Sequence, residues 1–143
     1  MTSLRARQKA RRLLVQALYS WEVGGVDVNA IESHFLTTND MDQFDTDLFH
    51  EILFGVTTNW IEIDQTFEPY LDRNREQLDP VSRAVLRLST FEMLYSIQVP
   101  YKVVINEAVN LAKTFGPEDA FKFINGVLDR VAVVRRSIEV ADR

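Results

Sequence analysis

Almost everywhere along this chain apolar side chains recur three and four residues apart, and no Val, Ile or Thr-rich run alternates with period two between turn residues. That spacing commits the backbone to helices that each bury one stripe, so the expected fold class is all-α. Helix one should run from about Leu4 to Val23, halted by Gly24-Gly25 because glycine ends a helix at positive φ without steric cost. A second covers about Val28 to Leu36 and gives way to a polar turn, Thr37 to Asp42. Asp45 can cap a long helical region from Thr46 to about Leu71, bent near Thr57-Thr58-Asn59, whose side chains compete for their own backbone. After the charged link Asp72 to Leu78, Asp79 serves as an N-cap with Pro80 at the first helical position, where the missing N–H costs nothing. That helix should end before Pro100, and another covers about Tyr101 to Phe115 and stops at Gly116. Pro117 opens the last helix, which reaches about Arg136. Six or seven helices with short links describe a compact bundle. We expect one domain over residues 1–143, dividing into two helical subbundles near residues 72–79, with residues 137–143 frayed.

A chain of 143 residues, 46% of them hydrophobic, can bury roughly 70% of its unfolded surface and needs no disulfide or zinc staple. It has no cysteine, which removes thiolate nucleophiles, zinc-thiolate sites and redox centres, and fits a reducing, cytoplasmic setting. No apolar run approaches the length of a transmembrane helix or signal-peptide core, so no membrane role is expected. The formal net charge is −5, and taken alone this argues against a polyanionic partner. The arrangement along the chain changes that inference. Residues 1–12 carry +5 and no acid, residues 13–72 contain no Lys or Arg and carry −12, and residues 73–143 carry +2. The acidic stretch reads as a solvated surface or as a dock for a basic partner.

The basic start lies on an amphipathic helix. At 100° per residue, Ala10, Leu13, Leu14, Ala17 and Trp21 form a core stripe, and Arg5, Lys9, Arg12, Gln16 and Tyr19 lie opposite. Arg7 and Arg11 make a shorter row flanking the core stripe. Cations stacked at i, i+4 near a helix N-terminus repel one another and oppose the macrodipole, so folding does not ask for them. An anionic partner does, since each cation set on a phosphate releases a counterion, and Tyr19 offers a ring to an unpaired base. In the 101–115 helix Val104, Ile105, Ala108, Leu111, Ala112 and Phe115 face inward, whereas Lys102, Asn106, Asn110 and Lys113 share a polar side. The last helix places Phe121, Ile124, Val127, Leu128 and Val131 on one face and Lys122, Asn125 and Asp129 on another, with Gly126 a bare patch beside Phe123. Such polar faces suit bases and phosphates, or are simply solvated.

Glu92 falls inside the apolar arc Val81, Ala84, Val85, Leu88, Phe91, Tyr95. A carboxylate there needs a partner or a proton, and an arginine is the expected one. No phosphate-cradling glycine loop, His-Glu-x-x-His or nucleophile elbow is present, and His34 and His50 share no ligand spacing. No catalytic residue, metal site or cofactor is therefore expected.

Six ordered blocks carry a resemblance: Ala10-Arg11-Arg12 followed by Val15-Gln16-Ala17-Leu18-Tyr19-Ser20-Trp21; Gly55-Val56; Ala84-Val85-Leu86-Arg87; Val99-Pro100-Tyr101-Lys102-Val103; Ile105-Asn106-Glu107-Ala108 with Leu111-Ala112-Lys113; and Lys122-Phe123-Ile124-Asn125-Gly126-Val127-Leu128-Asp129. From Arg5 to about Val131 the chain resembles the NusB family of transcription antitermination factors. The last two blocks also occur in the NusB-like domain of certain ribosomal RNA cytosine methyltransferases, whose catalytic domain 143 residues cannot accommodate. The resemblance implies a helical, non-enzymatic adaptor that pairs with ribosomal protein NusE, binds boxA, a short single-stranded element of leader RNA, and works with other Nus factors and RNA polymerase during ribosomal RNA transcription. It implies RNA-binding roles for Arg7, Lys9, Arg11, Tyr19, Asp119, Lys122, Phe123 and Asn125. Arg5, Arg12, Gln16 and Lys113 join them from the helical faces. Glu76 matches an acidic NusE contact, and Ser82 stands where some relatives carry glutamate. The alternative is a purely protein-protein adaptor in which the acidic segment docks a basic partner without RNA.

Overall fold

The structure is a computed structural model and describes residues 2–142. Among the described residues seven α-helices follow in chain order: α1 (Leu4–Gly24), α2 (Val28–Thr38), α3 (Thr46–Phe67), α4 (Pro80–Tyr95), α5 (Tyr101–Phe115), α6 (Ala120–Arg135) and α7 (Ser137–Ala141). No strand occurs among the described residues. The expected caps are in place. Asp45 accepts from the Leu48 N–H and Asp79 from the Ser82 N–H, each at 2.9 Å. Gly25 closes α1 in the left-handed region at φ 63°. Asn59 leaves helical geometry inside α3 (φ −114°, ψ 22°) while its amide donates to the Gly55 carbonyl at 2.8 Å, the backbone competition expected of that segment.

Three boundaries differ from expectation. The long helix stops at Phe67 and passes through two 3₁₀ turns, Glu68–Tyr70 and Arg75–Gln77, instead of continuing to Leu71. The last long helix begins at Ala120, not Pro117, because Asp119 adopts φ 68° and the preceding residues form a turn. Residues 137–141 are helical where fraying was expected; Arg143 lies outside the described residues. Arg136 is the cause. It is 6% exposed and donates to the carbonyls of Glu92, Met93, Ser96 and Val99 and to the Glu139 carboxylate. The Glu92 carbonyl already accepts from the Ser96 N–H, but the last carbonyls of a helix lack intrahelical donors, and one guanidinium supplies several. Glu139 in turn accepts from the Tyr101 N–H at the start of α5 at 2.6 Å, which pins α7 to the bundle.

Helices α1, α2 and α3 pack on one another, α4, α5 and α6 do likewise, and α4 touches α1, α3, α5 and α6. Residues 72–79 carry the chain from the first set to the second, and buried apolar side chains of both belong to one continuous core. α3 and α4 approach closely at Gly55, where a methyl group would overlap the Phe91 ring. With neighbours on several sides, α4 is buried along almost its whole length from Ala84 to Met93. Its polar residues are therefore interior ones, which organises the charges described next.

Candidate nucleic-acid interface

The basic start divides into buried and exposed members. Arg11 is 2% exposed and Glu92 1%; Arg11 Nε and Nη2 donate to the two Glu92 carboxylate oxygens at 2.9 Å each. This bidentate pair joins α1 to α4 and corrects the expectation that Arg11 contacts RNA. Its position flanking the core stripe lies where α4 packs, so the guanidinium satisfies the interior carboxylate and is shielded from a phosphate. Burial alone would lower the Arg11 pKa, but Glu92 outweighs it and holds the guanidinium above its ordinary value.

A second interior cluster joins the arginine-free stretch to the bases beyond it. Asp64, fully buried in α3, accepts from Arg87 Nε at 2.9 Å and Nη2 at 2.8 Å, and from Arg75 Nη1 at 3.1 Å. Glu22 at the end of α1 accepts from Arg83 Nε at 2.7 Å and Arg87 Nη1 at 2.6 Å. The Arg87 guanidinium also lies 5.6 Å from the Trp21 ring centre and 5.8 Å from that of Trp60. Part of the −12 stretch is thus neutralised internally. Sequence analysis named no partner for Asp64 or Arg87, because the pairing depends on α4 being buried on several sides, which a single-stripe picture of a helix does not include.

Glu22 also gives the fold an acid-sensitive joint. Burial by itself would raise its carboxyl pKa, but hydrogen bonds and charge from Arg83 and then Arg87 hold it below the ordinary 4.5. A carboxyl depressed in the folded state stabilises above its unfolded pKa and loses that contribution as pH falls through the folded one. The melting temperature should therefore fall as pH drops below about 4.5, and Glu22→Gln should flatten that fall. Identical pH profiles for the two proteins would exclude the joint.

The exposed residues lie on a surface that α5 joins. On α1, Arg5, Arg12, Gln16 and Tyr19 are exposed and Lys9 is half-buried. Arg12 shares a shallow depression with Gln8, Asn110 and Thr114, and Gln8 donates to Glu107 at 3.0 Å, so the polar faces of α1 and α5 meet. About one turn further along α5, Lys113 Nζ lies 4.7 Å from the Phe121 ring centre, and Lys122 Nζ lies 5.8 Å from it. Asn125, Lys122 and Asp119 are exposed, with Lys122 3.6 Å from the Asp119 carboxylate. Phe123 is half-buried beneath Arg73, whose guanidinium is 5.0 Å from its ring centre. The polar faces of α1 and α5 therefore meet at Gln8 and Arg12, and α5 meets α6 at Lys113 and Phe121, whereas Phe123 packs toward the 72–79 link. Phe121, expected in the core, is only half-buried.

Two other residues fall elsewhere. Arg7 donates to the Thr2 carbonyl at 2.8 Å and lines a groove with the acids Asp45, Asp47 and Glu51 and with Pro100 and Val103 at the start of α5. Ser82 is 2% exposed in the first turn of α4, which corrects its assignment as a partner contact: the side chain offers no surface. Glu76 is exposed on the Arg75–Gln77 turn, 3.3 Å from Arg75 Nη2. No helix among the described residues is long and apolar enough to cross a membrane.

Comparison with known proteins places this geometry. Residues 8–133 match the NusB family. A transcription antitermination protein NusB of Saccharophagus degradans is 52% identical over 139 residues, covering 96% of this chain and 93% of that one. One of Pseudomonas savastanoi pv. phaseolicola is also 52% identical, covering 94% of this chain and 81% of the relative. Among solved structures, T. maritima NusB superposes with a TM-score of 0.82 at 29% identity over 99% of both chains. A structure of antitermination factors NusB and NusE in complex with dsRNA gives 0.79 at 25% identity, over 90% of this chain and 97% of that one.

Proposed function

Because the chain belongs to the NusB family, we propose that it is a non-catalytic RNA-binding subunit of a transcription antitermination assembly. With ribosomal protein NusE it binds boxA single-stranded leader RNA, and in the cytoplasm it joins other Nus factors and RNA polymerase to keep ribosomal RNA transcription processive. The observation that supports this reading most is that the polar faces of α1 and α5 meet at Gln8, Arg12 and Glu107 and that Lys113 of α5 reaches the start of α6; to this side we assign Lys9, Arg12, Gln16 and Tyr19 of α1, Lys113 of α5, and Lys122, Phe123 and Asn125 of α6, with Asp119 at its edge. Cations there meet phosphates, while amides and rings meet unpaired bases. Arg5 extends the surface toward the start of α1, and Arg7 borders it. Glu76, on a separate exposed turn, is the residue assigned to NusE. A relative solved with NusE and RNA supports the pairing.

Titration of a boxA-type single-stranded RNA, with and without NusE, at several salt concentrations tests the reading. If Lys9, Arg12, Lys113 and Lys122 each neutralise one phosphate, log affinity should fall with log salt at a slope of about −3, roughly −0.7 per contact. Lys9→Ala with Arg12→Ala should remove about 1.4 from that slope without changing helicity. Affinity indifferent to salt would sink the RNA role and leave a protein-protein adaptor.

A further inference from the structure

We propose that Phe121 is a base-stacking platform of this surface, with Lys113 and Lys122 as its paired phosphate clamps; the proposal deepens the RNA reading above and rests on it. The ring opens the first turn of α6, immediately after the left-handed Asp119 turn. Helical periodicity assigns it to the buried stripe with Ile124, Val127 and Leu128, yet those three are at most 3% exposed and Phe121 is half-buried. Two ammonium groups from different helices approach it, Lys113 at 4.7 Å and Lys122 at 5.8 Å from the ring centre. Both lysine side chains are otherwise exposed, and pure packing gives no reason to gather like charges there. In the free protein the ring quadrupole holds Lys113 near it, and Lys122 lies between the ring and the Asp119 carboxylate, 3.6 Å away. A nucleotide replaces that arrangement with a better one: an unpaired base takes the ring face, and the ammonium groups move a short way onto its flanking phosphates. Nothing in such stacking reads base identity, so Phe121 contributes affinity and register, not sequence choice.

Ring and cations give separable signatures. Phe121→Leu, which keeps an apolar side chain, should weaken binding of boxA-type RNA about 5- to 30-fold at every salt concentration, leaving the salt slope unchanged. Lys113→Gln with Lys122→Gln should instead reduce the slope by about 1.4, roughly 0.7 per lost contact. Phe121→Tyr keeps the ring and should bind within about twofold of the parent. Melting curves of each variant report folding independently. Parent-like binding by Phe121→Leu overturns the proposal, and so does equal loss from Phe121→Tyr and Phe121→Leu. Absence of salt-dependent RNA binding by the parent protein is a different failure, because it removes the RNA reading itself and this proposal with it.

Discussion

Arg11→Ala is expected to lower the free energy of unfolding by about 3–5 kcal/mol, the cost typical of breaking a buried ion pair from one side. Glu92, 1% exposed, would lose both donors at 2.9 Å and be left as an unpaired carboxylate between α1 and α4. Urea denaturation reads the loss as a midpoint shift of about 2 M for a protein of this size. Arg11→Met combined with Glu92→Leu removes both charges and should recover most of that loss, since a buried pair is often no more stabilising than apolar groups of similar volume. The outcome separates two roles for a residue that the family resemblance assigns to RNA. If Arg11→Ala keeps the parental midpoint and loses RNA affinity, Arg11 is a contact after all and its buried pairing does not persist in solution. If it loses stability while the double variant retains both stability and RNA affinity, Arg11 acts by fixing α1 against α4.

Most helix starts and stops were legible because their causes are local. Asp45 and Asp79 reach N–H groups three residues away, Gly25 takes up a positive φ, and Asn59 bonds to Gly55 four residues back. The exposed row Arg5, Arg12, Gln16 and Tyr19 was legible for the same reason: one helix turn fixes which side chains share a face. Contacts between distant segments were not. Glu92 announced its need for a partner by sitting in an apolar arc, but nothing local identified Arg11, 81 positions away. Arg136 looked like a helix end, and its role emerges only where the end of α4 and the α4–α5 link meet it. Phe121 shows the converse error, since periodicity says which residues share a stripe but not how far the neighbouring helix covers it. Ser82 was placed by analogy alone, and its own burial in the first turn of α4 hides it. Legible parts of the candidate site were therefore those on a single helix, and illegible parts those made by two.

Asp64→Ala should destabilise the protein by about 3–5 kcal/mol, and the effect should extend to partner binding. The carboxylate is fully buried and serves two arginines, Arg87 through Nε and Nη2 and Arg75 through Nη1. Without it Arg87, 6% exposed, retains only the Glu22 hydrogen bond, and its remaining donors are unpaired in the interior, which is costly. Arg75 is less buried and keeps Glu68 at 2.9 Å, so its own loss should be small. Arg75, however, opens the 3₁₀ turn that presents Glu76, and Asp64 ties that turn to α3. Loosening it should weaken a NusE complex made through Glu76 even at temperatures where Asp64→Ala remains folded. Glu22→Gln supplies the contrast: its carboxylate is partly exposed, Asp64 keeps Arg87 in place, and the loss should be nearer 1 kcal/mol with NusE affinity unchanged. Calorimetric titration with NusE, run on variants whose melting curves show them folded, distinguishes the cases. Equal NusE affinity for parent and Asp64→Ala would mean that the turn holds itself, through Glu68 and the Asn74 and Gln77 bonds of its own capping box, and that the buried cluster serves the fold alone.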